Sequence, residues 1–101
     1  MDCKVIISPR AIQDLAKIVR YISFDNPKAA EDLGYALIDS ALSLATLPDR
    51  GRFVPEFDDG ITREIIHSPY RIIYRIDQQR KLVFVSRFWH AAQGKPPRQS
   101  P

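Results

Sequence analysis

The stretch Tyr70-Arg71-Ile72-Ile73-Tyr74-Arg75-Ile76-Asp77 decides the fold class. Its β-branched and aromatic residues favour a strand. Side chains alternate across a strand, so Tyr70, Ile72, Tyr74 and Ile76 share one face, while Arg71, Ile73 and Arg75 share the other. The first face is apolar and belongs against a core; the second, with its arginines, is expected to be partly open. Upstream, Ile61 to His67 is a second strand-like run, separated by the turn signal Ser68-Pro69. Downstream, a polar loop from Asp77 to Lys81 leads into a third run, Leu82 to Trp89, rich in valine and aromatics. Connections this short join antiparallel neighbours. A short extra strand is expected at Arg52-Phe53-Val54.

The first half has a different period. After a brief apolar strand from Lys4 to Ile7, Ser8-Pro9 supplies a helix cap and a first-turn proline. Ile12, Leu15, Ile18/Val19 and Ile22 then recur at three- and four-residue steps, the stripe of an amphipathic helix. Asp25-Asn26-Pro27 ends that helix and caps the next, whose stripe is Ala30, Leu33, Leu37, Ala41 and Leu44. The second helix is expected to span about 20 residues, roughly 30 Å at 1.5 Å per residue, and to stop at Leu47-Pro48. The short connection implies an antiparallel helix hairpin, and Ala29, Ala30, Gly34, Ala36 and Ala41 let its helices lie close. The expected order is β-α-α-β-β-β, an α+β fold with the hairpin packed on a small antiparallel sheet. Residues 3–93 form a single domain, and 94–101, with Pro96, Pro97 and Pro101, read as a flexible tail.

Charge is uneven. Residues 1–50 carry net −1 and residues 51–101 net +4, the latter from seven arginines and two lysines against five acidic residues. Arginine's planar fork suits phosphates and carboxylates, so the second half suggests an anionic partner: RNA, DNA or an acidic protein segment. Cys3 is the only cysteine, which excludes an internal disulfide framework and points to a reducing, cytoplasmic setting. The apolar run after Met1 is too short for a signal peptide or membrane span, and no membrane association is expected. His67 and His90 are the only histidines, and no CxxC, HExxH, glycine-rich phosphate loop or GxSxG motif occurs. Metal sites, cofactors and serine hydrolase chemistry are therefore not expected.

Several pieces match a known pattern together. Ser8-Pro9-x-Ala11-x-x-Asp14-Leu15-x-x-Ile18-x-x-Tyr21-Ile22 resembles the first helix of RelE/ParE toxins, and Asn26-Pro27-x-Ala29-Ala30 the start of their second. Leu47-Pro48-x-x-Gly51-Arg52-x-Val54-Pro55-Glu56 resembles their linker into the sheet. Arg63-Glu64, the Tyr70-to-Ile76 strand and His90 complete the set, which covers residues 3 to 93. The resemblance implies the compact RelE/ParE toxin fold, a cognate antitoxin whose segment orders on binding, and a hetero-oligomer with it.

Two activities exist in the superfamily. ParE-like members poison DNA gyrase; RelE-like members cut messenger RNA on the ribosome. RNA cleavage without a metal needs a base, a cationic phosphate holder and an acid. The candidates are Glu56, Arg71 and His90, with Arg63, Arg75 and Arg87 as further binding residues. Some nuclease members carry tyrosine just after the histidine and many carry arginine three residues on; here these are Ala91 and Gln93. These departures, and a net charge of only +3, favour the ParE-like reading over the RelE-like one. An inactive antitoxin-binding module and a plain nucleic-acid-binding domain remain as alternatives.

Overall fold

A computed structural model describes residues 2–97. Strand β1 (Lys4–Ile7) leads into helix α1 (Pro9–Ser23) and helix α2 (Pro27–Leu42). Then come the two-residue β2 (Arg52–Phe53), β3 (Arg63–His67), β4 (Tyr70–Asp77) and β5 (Leu82–His90). The strands form one five-stranded sheet in the order β1-β5-β4-β3-β2. β2 to β5 pair antiparallel with their sequence neighbours, as their short connections require, while β1 lies parallel along β5. The α+β hairpin-on-sheet architecture expected from the sequence is present.

Local chemistry starts both helices. Ser8 Oγ accepts from the Ala11 amide at 3.0 Å, and Asn26 Oδ1 accepts from the Ala29 amide at 3.0 Å. Caps of this kind each contribute about 1 kcal/mol. Gly34 lets the helices touch: a Cβ there would sit 3.1 Å from Val19 Cγ2. The second helix is shorter than expected, giving way after Leu42 to a 3₁₀ turn, Ser43–Ala45, that keeps Leu44 in the core.

Ala11, Leu37, Ala41 and Leu44 of the hairpin pack on Tyr70, Ile72, Tyr74, Val83, Val85 and Phe88 of the sheet. Tyr74 ties the linker down. Its hydroxyl donates to the Pro48 carbonyl at 2.6 Å and accepts from the Gly51 amide at 3.0 Å. Gly51 is required there, because a Cβ would stand 2.6 Å from the Glu64 carbonyl oxygen as well as against the Tyr74 ring.

The second sheet face departs from expectation. It is not open around Arg71: Val54 and Phe57 from the segment after β2 pack on Ile73 and Trp89, and Arg71 is only 8% exposed. The alternation pattern of a strand reports which residues share a face, but not that a distant linker folds back to cover them. Of the tail expected over 94–101, residues 98–101 lie outside the described residues. In the described part, the Gly94 carbonyl accepts from Trp89 Nε1–H at 2.9 Å and Pro96 is buried.

Candidate functional site

β4 is the central strand, with β3 and β5 on its two sides. Arg71 projects from it beneath the 54–57 segment and meets two carboxylates. Its Nε donates to Glu64 Oε1 at 2.5 Å, and its two terminal nitrogens donate to the two oxygens of Glu56 at 2.8 and 2.7 Å. Glu64, on β3, has a fully buried side chain, and its other oxygen accepts from Arg52 Nε at 2.7 Å. The result is a ladder, Arg52–Glu64–Arg71–Glu56, stitching β2, β3 and β4 to the covering segment. A bidentate pair is among the strongest polar contacts available. Its electrostatic signature is plain: hydrogen bonding from Arg71 holds the Glu56 carboxyl at about 2, against its ordinary 4.5. Glu56 in turn pushes the Arg71 guanidinium further toward its charged form.

His90 stands elsewhere. It pairs in register with Tyr70, as Trp89 pairs with Arg71, so His90 and Arg71 point to opposite sheet faces. The His90 ring meets Tyr70 edge-on at 5.1 Å, and its Nδ1 accepts from the Ala92 amide at 3.0 Å, capping the turn Ala91–Gln93. Tyr70 itself belongs to the core beneath the helices, and burial raises its phenol above the usual 10.0. Of the three residues singled out for RNA cleavage, the structure brings Glu56 and Arg71 together and places His90 across the sheet.

The other arginines also fail to converge. Arg87 is 6% exposed and clamped to Asp14 of α1, with Nε and a terminal nitrogen 2.7 and 2.9 Å from its oxygens. Its guanidinium also lies 5.0 Å from the Trp89 ring centroid. Arg63 donates to the Gly51 carbonyl at 2.8 Å and covers the Phe53 ring at 4.2 Å. Arg75 is half-buried beside Ile61 and has no ion pair among the described residues. Glu64 and Asp14 entered the sequence reading only as parts of the family pattern and not as site residues, yet they pair with Arg71 and Arg87. The one signal for Glu64 was an acidic residue inside an apolar strand, two residues from where a strand partner can supply an arginine. Asp14 had no such signal, because it reaches Arg87 across 73 residues.

Among the described residues no group of three or more histidine, cysteine or acidic side chains is placed to hold a metal ion. No helix among them is long and apolar enough to cross a membrane.

A two-helix hairpin packed on a five-stranded, mostly antiparallel sheet is the architecture of the small RelE/ParE toxins. The chain belongs to the ParE toxin family of type II toxin–antitoxin systems, whose model matches residues 5–94. It is 34% identical over 94 residues to Toxin RelE1 of Caulobacter vibrioides, covering 92% of this chain and 98% of that one. The toxin–antitoxin complex RelBE2 of Mycobacterium tuberculosis contains a similar chain, with TM-score 0.68, 24% identity, and 89% and 99% of the two chains covered. The chromosomal ParDE system of P. aeruginosa contains another, with TM-score 0.70, 18% identity, and coverage of 87% and 95%. At these identities the two structures share the fold.

Proposed function

We propose that this chain is the growth-inhibiting toxin of a two-protein module in the cytoplasm, neutralised by a cognate antitoxin, and that it acts as ParE-like toxins do, by inhibiting DNA gyrase rather than by cutting RNA. The observation that carries the choice of target is the state of Arg71. A cation that holds a scissile phosphate must present free N–H donors to it. Three of the five N–H donors of Arg71 are already committed, Nε–H to Glu64 and one from each terminal nitrogen to Glu56. A general base works best with a pKa near the operating pH; Glu56, held at about 2, is a poor one. His90, on the opposite face, is too badly placed to complete the set. Gyrase inhibition needs a binding surface and no such constellation.

The test runs two purified reactions side by side: gyrase supercoiling with detection of trapped cleavage complexes, and messenger RNA cleavage on programmed ribosomes. Trapped gyrase with intact RNA is expected. Cut RNA with unaffected gyrase overturns the reading in favour of the RelE-like activity. If neither responds and induced expression leaves growth normal, the chain is an inactive antitoxin-binding module.

A further inference from the structure

The helix hairpin leaves its outer surface uncovered. On α1 the exposed positions Ile12, Ala16, Arg20 and Phe24 recur at four-residue steps from the first turn to the cap. On α2 the exposed positions Glu31, Tyr35 and Asp39 do the same, with Leu42 beside them. Rows of this spacing form a ridge along one side of a helix. Ile12, Phe24, Tyr35 and Leu42 are each about half exposed or more. Single apolar side chains are ordinary on a surface, but four on one hairpin face make a patch. Between the ridges runs an apolar groove of about 280 Å³, lined by Leu15, Val19, Pro27, Gly34, Tyr35 and Ile38 among others.

The two helices carry opposite charge around this groove. Lys28 and Asp32 neutralise each other at 3.2 Å. Lys17 and Arg20 of α1, and Glu31 and Asp39 of α2, have no ion pair among the described residues. Gly34 stands level with Val19. Counted from there at equal rise along the antiparallel helices, Arg20 is level with Leu33, Lys17 with Ala36 and Ile12 with Ala41. A two-fold axis running along the groove sets α1 of one copy on α2 of the other at the same heights. Ile12 then meets Leu42 of the second copy near the axis, Arg20 meets its Glu31, and Lys17 meets its Asp39 at the rim, each within one helical turn of level. An axis running across the helices instead sets α1 on α1 and α2 on α2. That arrangement opposes like charges, so the charge pattern selects the first.

We propose that two copies of this chain associate through the outer face of the hairpin, forming a four-helix bundle in which each α1 lies on the α2 of the other copy. Apolar side chains fill its centre and complementary charges its rim. The inference needs the fold alone and neither choice of target. Its strength follows from its size. Helices of 15 and 16 residues give a face about 23 Å long and about 20 Å wide, so about 900 Å² is covered in the pair. That lies below the roughly 1,200–2,000 Å² of a standard stable interface, so the dimer is expected to dissociate in the range of roughly tens to hundreds of micromolar.

Sedimentation equilibrium of the isolated full chain, from about 5 µM to about 1 mM, tests it. The mass is expected to rise with concentration from one copy toward two and no further, since a two-fold contact closes on itself. Lys17 lines the cleft on the β5 side of α1, and Asp39 is turned about 100° round α2 from the groove-lining Ile38. The two therefore stand on opposite flanks of one hairpin and can meet only between copies. Lys17→Glu and Asp39→Lys, both exposed, are each expected to weaken the dimer at least about tenfold with unchanged circular dichroism. The double variant is expected to recover the parent's dissociation constant to within about threefold. A chain that stays monomeric to about 1 mM overturns the proposal, and is the result expected if a different protein covers this face. Dimerisation indifferent to both reversals, or a double variant no tighter than the singles, overturns the arrangement. The readout uses neither growth nor gyrase, so its failure leaves the toxin reading standing.

Discussion

Replacing Glu64 by glutamine tests the charge ladder at its centre. The Glu64 side chain is fully buried and serves two cations, Arg71 at 2.5 Å and Arg52 at 2.7 Å. Their side chains differ in exposure, 10% for Arg71 and 61% for Arg52. The two contacts therefore carry unequal weight. An exposed ion pair contributes about 1 kcal/mol or less, so Arg52→Ala is expected to cost no more than that. A hydrogen bond to a charged group is worth roughly 1.5–3 kcal/mol, and leaving a buried charge short of a partner costs more than the bond itself. Glu56 still neutralises part of Arg71 in the variant, which limits the loss. Glu64→Gln is then expected to lose about 2–3 kcal/mol; at about 4–8 °C per kcal/mol for a domain of this size, Tm falls by about 8–24 °C. Thermal melts followed by Trp89 fluorescence suit the measurement, because Trp89 packs on the cluster formed by the covering segment. Glu64→Leu combined with Arg71→Met removes both charges and is expected to melt above Glu64→Gln. A Glu64→Gln loss below about 0.5 kcal/mol, a larger loss for Arg52→Ala, or a double variant melting below the single would refute the reasoning.

Four further outcomes follow from the same geometry. The folded-state pKa of Glu56 is depressed, from 4.5 to about 2, so its stabilising effect is present above the unfolded value and is lost as pH falls between about 5 and 2. Glu56→Gln should flatten the melting curve's pH dependence in that window, and an unchanged profile would contradict the pairing. Gly51→Ala should destabilise by about 1–3 kcal/mol, read as a lowered Tm, since the new Cβ meets the Glu64 carbonyl oxygen at 2.6 Å and the Tyr74 ring. His90→Ala should leave growth inhibition intact, with Tm lowered by a few degrees through loss of the Ala92 cap; abolished toxicity with unchanged folding would restore His90 as an active group. Glu56→Ala should free the outer donors of Arg71, so that added inorganic phosphate raises the variant's Tm more than the parent's, without creating RNA cleavage. An equal response in both proteins would mean that Glu56 does not occlude Arg71.

The fold was largely legible because it is written in local signals. Ser8-Pro9 and Asn26-Pro27 mark helix starts that the structure uses as caps. The alternation from Tyr70 to Ile76 placed those residues against the helices, where they are found. What was not legible is long-range. Nothing local puts Glu64 opposite Ile73 rather than one residue away, and a slip of one would turn its carboxylate to the other face. Nothing near Val54 or Phe57 says that they fold back on Ile73. Which of Arg63, Arg71, Arg75 and Arg87 lie together depends on strand register and is not written in the sequence. Each has its own surroundings, and two of the four are buried against acidic partners.

One arginine cannot hold a structural carboxylate and a phosphate on the same donors at once. Arg71 sits in the strand that resembles RelE/ParE toxins as a whole, and a phosphate can engage its two terminal nitrogens end-on only by displacing Glu56. Displacement carries a double cost. The departing carboxylate would remain beside the arriving anion, because Glu56 is anchored between Val54 and Phe57, which are buried under their own apolar contacts. Glu64 is fully buried and also held by Arg52, so the Nε edge stays filled. A motif match at Arg71 therefore conveys a structural role in this chain, and whether the position can act on a phosphate is set by residues 56 and 64. In a relative with an apolar residue in place of Glu56, the same arginine would keep its strand, its burial and its pairing with Glu64, and would turn two free donors toward solvent. In this chain, the access of an anion to the central arginine is set by Glu56 and Glu64 rather than by the presence of the arginine.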